Sequence, residues 1–157
     1  MTTAKSDSFN DLVAIFGEPA DESNLVFIVP AYPLKYDGKN VSKIRCHKLI
    51  SNQLENVFKE VLKAYGLEQI FQLYLNVYGG SYNNRPIRGG TKPSTHAWGI
   101  AIDMFPTGNS LNANKDKAAF ARPEYKKWMD IWRANGFYNL GEVKNYDFMH
   151  FQAAKPE

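Results

Sequence analysis

Two short runs constrain this chain more than any other feature: Ser94-Thr95-His96-Ala97-Trp98-Gly99-Ile100-Ala101-Ile102-Asp103 and Asp147-Phe148-Met149-His150. The chain has three histidines, and two of them sit in these runs, each with a carboxylate at a fixed offset. Two imidazoles and a carboxylate suit a tetrahedral zinc ion whose fourth position is left to water. A further carboxylate beside the last histidine could serve as a base for that water. The pattern points to a zinc hydrolase before anything else points to a fold.

Spacing places the candidates on elements. His96 and Asp103 are seven residues apart, on opposite faces of any continuous strand, so the chain must turn between them to bring both to one metal. Pro93 before the histidine and Gly99 after it permit that turn, which puts His96 on a loop and Asp103 on the strand that follows. Asp147 and His150 are three apart, and parity forbids them a shared strand face. Asp147 is expected where the strand begins, with irregular backbone aiming it toward the metal. Ser94 sits too close to His96 to act as a nucleophile and is expected to orient the loop or the metal's surroundings through a hydrogen bond.

A lone histidine beside an aspartate is more often a hydrogen-bonded pair than a metal site; two such runs flanking strand-like segments change the balance. His47 shows the contrast. It adjoins Cys46, but with no second pair nearby it reads as structural or exposed. Trp128 and Trp132 read as core-facing helix residues. Trp98 either lines the site or packs beneath it.

At 157 residues and 44% apolar content, one domain over 1–157 with a real core is expected. A net charge of +3 makes no strong electrostatic case for nucleic acid. The lone Cys46 excludes an intrachain disulfide. Met1 to Asn10 is polar, without the apolar stretch of a signal peptide, and no segment approaches bilayer-spanning length. Synthesis in the cytoplasm without an export address is expected, and no membrane insertion.

Residues 1–40 are punctuated by Gly17, Pro19, Pro30, Pro33 and Gly38 and read as an irregular segment of short pieces and loops, with Leu25 to Val29 a candidate buried strand. Leu49 to Tyr65 reads as a helix, with Leu54, Val57, Phe58, Val61, Leu62 and Tyr65 at helical spacing, an Asn52–Glu55 capping box and Gly66 as its stop. Leu73 to Tyr78 alternates like a strand and runs into turn-rich residues 79–84 and a loop to Pro93. Ile100 to Phe105 reads as a second strand. Thr107 to Lys117 has the profile of an exposed loop. A second helix carries Pro123 near its first turn, Tyr125, Trp128, Met129 and Trp132 on one face, and Gly136 as its stop. Tyr146 to Phe151 reads as a third strand. Without a regular βαβ rhythm, the class is α+β: a small domain with a mainly antiparallel sheet flanked by helices and the zinc site on the sheet.

Ser-x-His-x-x-Gly-x-Ala-x-Asp followed by Asp-x-x-His resembles the zinc D-Ala-D-Ala carboxypeptidase and L-alanyl-D-glutamate endopeptidase family, which includes wall peptidases, vancomycin-resistance dipeptidases and phage endolysins. Ser94, His96, Gly99, Ala101, Asp103, Asp147 and His150 carry the resemblance, which covers a core of residues 49–152. It implies His96, Asp103 and His150 as zinc ligands and Asp147 as general base. It also implies an arginine ahead of the first ligand that binds substrate and polarises its carbonyl. Arg85 is the best match, with Arg88 three residues on as the alternative.

The expected activity is that of a zinc peptidase acting as a monomer on peptidoglycan stem peptides. The bond expected to be cut joins L-Ala to D-Glu, as in a phage-type endolysin released by a separate lysis factor. A D,D-carboxypeptidase or dipeptidase on D-Ala-D-Ala is the enzymatic alternative. A zinc-stabilised binding module of hedgehog-like type is the non-catalytic one, which needs neither Asp147 nor an upstream arginine.

Overall fold

Strand parity divides the central sheet into a core face and a site face. The computed structural model, which describes residues 1–157, joins β5 (Tyr78–Gly80), β6 (Ala101–Met104), β8 (His150–Gln152) and β7 (Tyr138–Asn139) in the order β5-β6-β8-β7, all antiparallel. Between β6 and β8 the register pairs Ala101 with Gln152, Ile102 with Phe151 and Asp103 with His150. Alternation therefore sends Ile102 and Phe151 to one side, and Asp103, His150 and Gln152 to the other. On the core side Phe151 stacks on Trp132, with ring centroids 4.2 Å apart, and meets Trp128 edge-on. Both tryptophans are fully buried on α3 (Lys126–Ala134), as their helical spacing predicts.

The remaining elements are α1 (Phe9–Phe16), α2 (Ser51–Gln72), α4 (Leu140–Lys144) and two antiparallel hairpins. β1 (Leu25–Ile28) pairs with β4 (Ile44–His47), and β2 (Leu34–Tyr36) with β3 (Lys39–Val41). Antiparallel sheets flanked by helices are the α+β arrangement that the sequence implies. A single cluster of 33 buried apolar residues runs from Ala4 to Ala154. No helix is long and apolar enough to cross a membrane.

Several elements differ from their sequence-based reading. Leu54, Val57, Phe58 and Val61 do form the buried stripe of α2, and Gly66, at φ 76 and ψ 158, does break the helix. The helix then resumes and continues to Gln72. Leu73 to Tyr78 is consequently not a strand. Leu73 N and Leu75 N donate to Gln69 O and Ile70 O, closing a turn that buries Leu75, and β5 starts only at Tyr78. The Asn52–Glu55 capping box is absent. The chain enters α2 through a 3₁₀ turn, Lys48–Ile50, capped by the His47 ring, which accepts from Leu49 N.

Residues 1–40 hold more regular structure than their glycines and prolines suggest. Ser8 caps α1 by accepting from Asp11 N, and the helix buries Leu12 and Phe16. Its last carbonyls find ring donors: His47 Nε2–H to Phe16 O and Trp98 Nε1–H to Gly17 O, both at 2.8 Å. Trp98 thus packs beneath the metal run. The 107–117 segment is largely exposed, as expected, but Asn109 within it is fully buried, donating to Phe105 O and accepting from Phe120 N.

Candidate metal centre

The turn that the spacing requires lies where Pro93 and Gly99 allow it. Thr95–Trp98 form a 3₁₀ turn opened by Ser94, whose hydroxyl accepts from His96 N, and closed by Gly99 in the left-handed region at φ 73. A side chain at Gly99 would bring its Cβ to 2.6 Å from Leu25 Cδ2 and 3.0 Å from His47 N, so the close approach also demands glycine. Ser94 performs the orienting task expected of it.

From this turn His96 meets Asp103 and His150. His96 Nε2 lies 3.2 Å from Asp103 Oδ2, and His150 Nδ1 lies 3.3 Å from Asp103 Oδ1. One donor atom from each residue falls within 4.8 Å of the others. The far nitrogen of each ring is engaged: His96 Nδ1 with Ser81 O at 2.6 Å, and His150 Nε2 with Gln152 Oε1 at 2.8 Å. A carbonyl can only accept, so His96 carries a proton on Nδ1 and Nε2 is the nitrogen turned toward the cluster.

The donor set fits a divalent metal such as zinc. His96 Nε2 and Asp103 Oδ1 are buried and lack any hydrogen-bond partner, even though each sits close to another polar atom. Buried orphans of this kind are costly unless something else satisfies them. Two imidazole nitrogens and a carboxylate oxygen are the donors zinc takes in open, three-residue sites. Burial would raise the Asp103 carboxyl, but His96 and His150 outweigh it and hold the group well below the usual carboxylate range. Burial likewise opposes charge on His150, and Asp103, Asp147 and Gln152 together outweigh it and raise that imidazole.

Asp147 stands just before β8 with φ 60, a left-handed conformation that aspartate tolerates better than most residues. Its amide donates to Leu111 O, so the 107–117 segment braces it. The irregular backbone ahead of the strand was expected, although the strand itself starts only at His150. Burial is the largest influence on the Asp147 carboxyl and raises it, with Asp103 adding to that and His150, His96 and Arg88 pulling it back.

Two depressions meet at the cluster and share Arg85 and Arg88. One is walled by Tyr36, Tyr78 and Tyr82 and reaches His96 and Asp103. The other holds Asp147 and His150 beside Lys92 and Lys144. Arg85 sits on braced backbone, because its carbonyl accepts from Ser94 N and the nearby Asn83 N donates to His96 O. Arg88 is exposed on the bend beyond.

His47 is buried and spent on Phe16 and Leu49, the structural role its isolation suggests. Burial pushes the neighbouring Cys46 thiol up to about 12, the state of an unreactive core thiol. Sequence reasoning missed Ser81, Thr95 and Gln152, which hold the two histidines. Only Gln152 left a signal: it lies two residues past His150, on the same strand face.

No curated protein matches the chain. Residues 88–153 match a family model described as D-alanyl-D-alanine carboxypeptidase, a span that takes in His96, Asp103, Asp147 and His150 but not Arg85. This similarity and the buried His–Asp–His donor set together support a metallopeptidase.

Proposed function

We propose that the protein is a zinc peptidase that hydrolyses peptidoglycan stem peptides between L-Ala and D-Glu, acting as a monomer in the manner of a phage endolysin delivered to the wall by a separate factor. The observation that carries this reading is the buried His96–Asp103–His150 set with a second, separately held carboxylate, Asp147, on the groove that His150 lines. Bound there, zinc would supply Lewis acidity, lowering the pKa of water toward ~7 and polarising the scissile carbonyl.

The protein's own residues do the rest. Asp147, raised by burial, takes the proton of the attacking water and hands it to the departing amine. Arg85, which lines both depressions on its braced backbone, is the cation that would meet the charge developing on the carbonyl oxygen. Because Asp147 returns the proton to the amine, the amine side of the bond lies in Asp147's depression. Arg88, Lys92 and Lys144 line that side and suit a residue with a carboxylate next to the scissile amide, as D-Glu has.

A second reading has its own support. The matching family model is described as a D-alanyl-D-alanine carboxypeptidase, and a terminal D-Ala also carries a carboxylate beside the scissile amide. Purified peptidoglycan digested with the zinc-loaded protein separates the two by mass analysis. New D-Glu amino termini support the endopeptidase; free D-Ala with the L-Ala–D-Glu bond intact supports the carboxypeptidase and overturns the first reading.

A further inference from the structure

The N-terminal segment reaches the candidate metal centre through one side chain. Ala4 forms a parallel bridge to Ala154, with Ala4 N donating to Ala153 O and Lys155 N to Ala4 O. That bridge, with the Ser8 cap of α1, delivers Asp7 beside Gln152. Gln152 is almost completely buried, and its Nε2 lies 3.0 Å from both Asp7 Oδ2 and Ala154 O.

Those two acceptors decide which way the amide points. With its oxygen turned toward Asp7 and Ala154, Gln152 would set acceptor against acceptor twice. The NH2 must therefore face them, and Oε1 faces the cluster. There it accepts from Thr95 Oγ1 at 3.2 Å and from His150 Nε2 at 2.8 Å. With Nε2 engaged by Gln152, Nδ1 is the nitrogen left to face Asp103 and to serve as the metal donor.

We propose that Asp7 is a positioning residue of the metal centre, fixing through Gln152 the tautomer and ring orientation of His150. This rests on the reading of His150 as a metal ligand, and it gives the N-terminal segment a part in the site. Outer partners of metal-bound histidines are commonly worth 10–100-fold in metal affinity.

The test compares wild type with Asp7→Ala, Asp7→Asn and Gln152→Met. Zinc affinity is measured by chelator competition, and the His150 tautomer in the zinc-bound protein by nitrogen-15 NMR. Wild type is expected to show a protonated Nε2 and a metal-bound Nδ1. Gln152→Met and Asp7→Ala should bind zinc about 10-fold or more weakly and show a mixture of His150 tautomers. Asp7→Asn keeps an oxygen that can accept from Gln152 and should restore most of both, while Gln152→Met leaves the bond from Glu157 N to Asp7 in place and so separates positioning from a mere tether for the C-terminal residues. Circular dichroism checks that each variant folds, and Gln152→Met carries the test if Asp7→Ala does not fold.

Wild-type zinc binding with unchanged affinity and tautomer in a folded Asp7→Ala and in Gln152→Met would overturn the positioning role alone. Failure of wild type to bind zinc at all would instead overturn the ligand reading beneath it.

Discussion

Asp103 and His150 are direct cross-strand partners in the β6–β8 ladder, and their facing side chains bring Oδ1 and Nδ1 to 3.3 Å. The pairing is held by the other face of the same strands. Ile102 and Phe151 sit one position along in each strand, and Phe151 is locked against Trp128 and Trp132. A slip of one residue would turn Phe151 toward the site and His150 into the core. Core packing thereby sets the geometry of the polar cluster.

As the proposed base, Asp147 should be replaceable by asparagine without loss of fold. Asparagine tolerates φ 60 as well as aspartate does. It cannot take a proton from water, so kcat on muropeptides should fall ~10²–10⁴-fold with zinc retained. Turnover near wild type would move the base elsewhere.

The same substitution should stabilise the metal-free protein at neutral pH. Burial raises the Asp147 carboxyl above its ordinary value of 3.8, so ionising it in the folded state costs stability. That cost is fully present above the folded-state pKa, shrinks as pH falls through it, and is gone below the unfolded value. Thermal melts in chelator should therefore show Asp147→Asn more stable than wild type at pH 7, with the gap closing on acidification. A gap of the opposite sign at pH 7 would contradict the burial argument.

Arg85 and Arg88 should differ in kinetic signature. Removing a preorganised charge at the developing oxyanion typically costs about 10²-fold or more in kcat, and that is expected for Arg85→Ala. Arg88→Ala should mainly raise KM, leaving kcat within a few-fold. The reverse pattern would assign the oxyanion role to Arg88.

Gly99→Ala should destabilise the fold by about 2–4 kcal/mol, combining left-handed strain with a forced contact. The new methyl would meet Leu25 Cδ2 at 2.6 Å and the His47 backbone, neither of which is a free chain end. A chemical denaturation curve reads this directly, and an unchanged midpoint would contradict it.

The site was more legible in the sequence than the fold around it. His96, Asp103 and His150 announce themselves through rare residues at fixed offsets, and strand parity alone demands the turn that Ser94 and Gly99 form. The α2 stripe and the buried Trp128 and Trp132 follow from helical period. What stayed hidden depends on partners distant in the chain. α1 is secured at its C-terminal end by His47 and Trp98, so its eight residues carry little local signal. Leu73 to Tyr78 alternates, yet backbone bonds from Leu73 and Leu75 to the end of α2 claim it as a turn. Asn109 looks like a loop residue until Phe105 and Phe120 close on its amide. Gln152 gains its role only once Asp7 arrives from the other end of the chain.

Metal content is the most direct test of the centre itself. Wild type, His96→Ala, Asp103→Ala and His150→Ala, each dialysed against zinc and then against buffer, should be assayed by elemental analysis alongside melts with and without chelator. Wild type should retain about one zinc per chain and melt higher with metal than without, since a ligand bound only by the folded state adds stability. Each variant should lose most of the metal and the stabilisation with it. Stoichiometric zinc in all three variants, or none in wild type, would contradict a metal centre built from these residues.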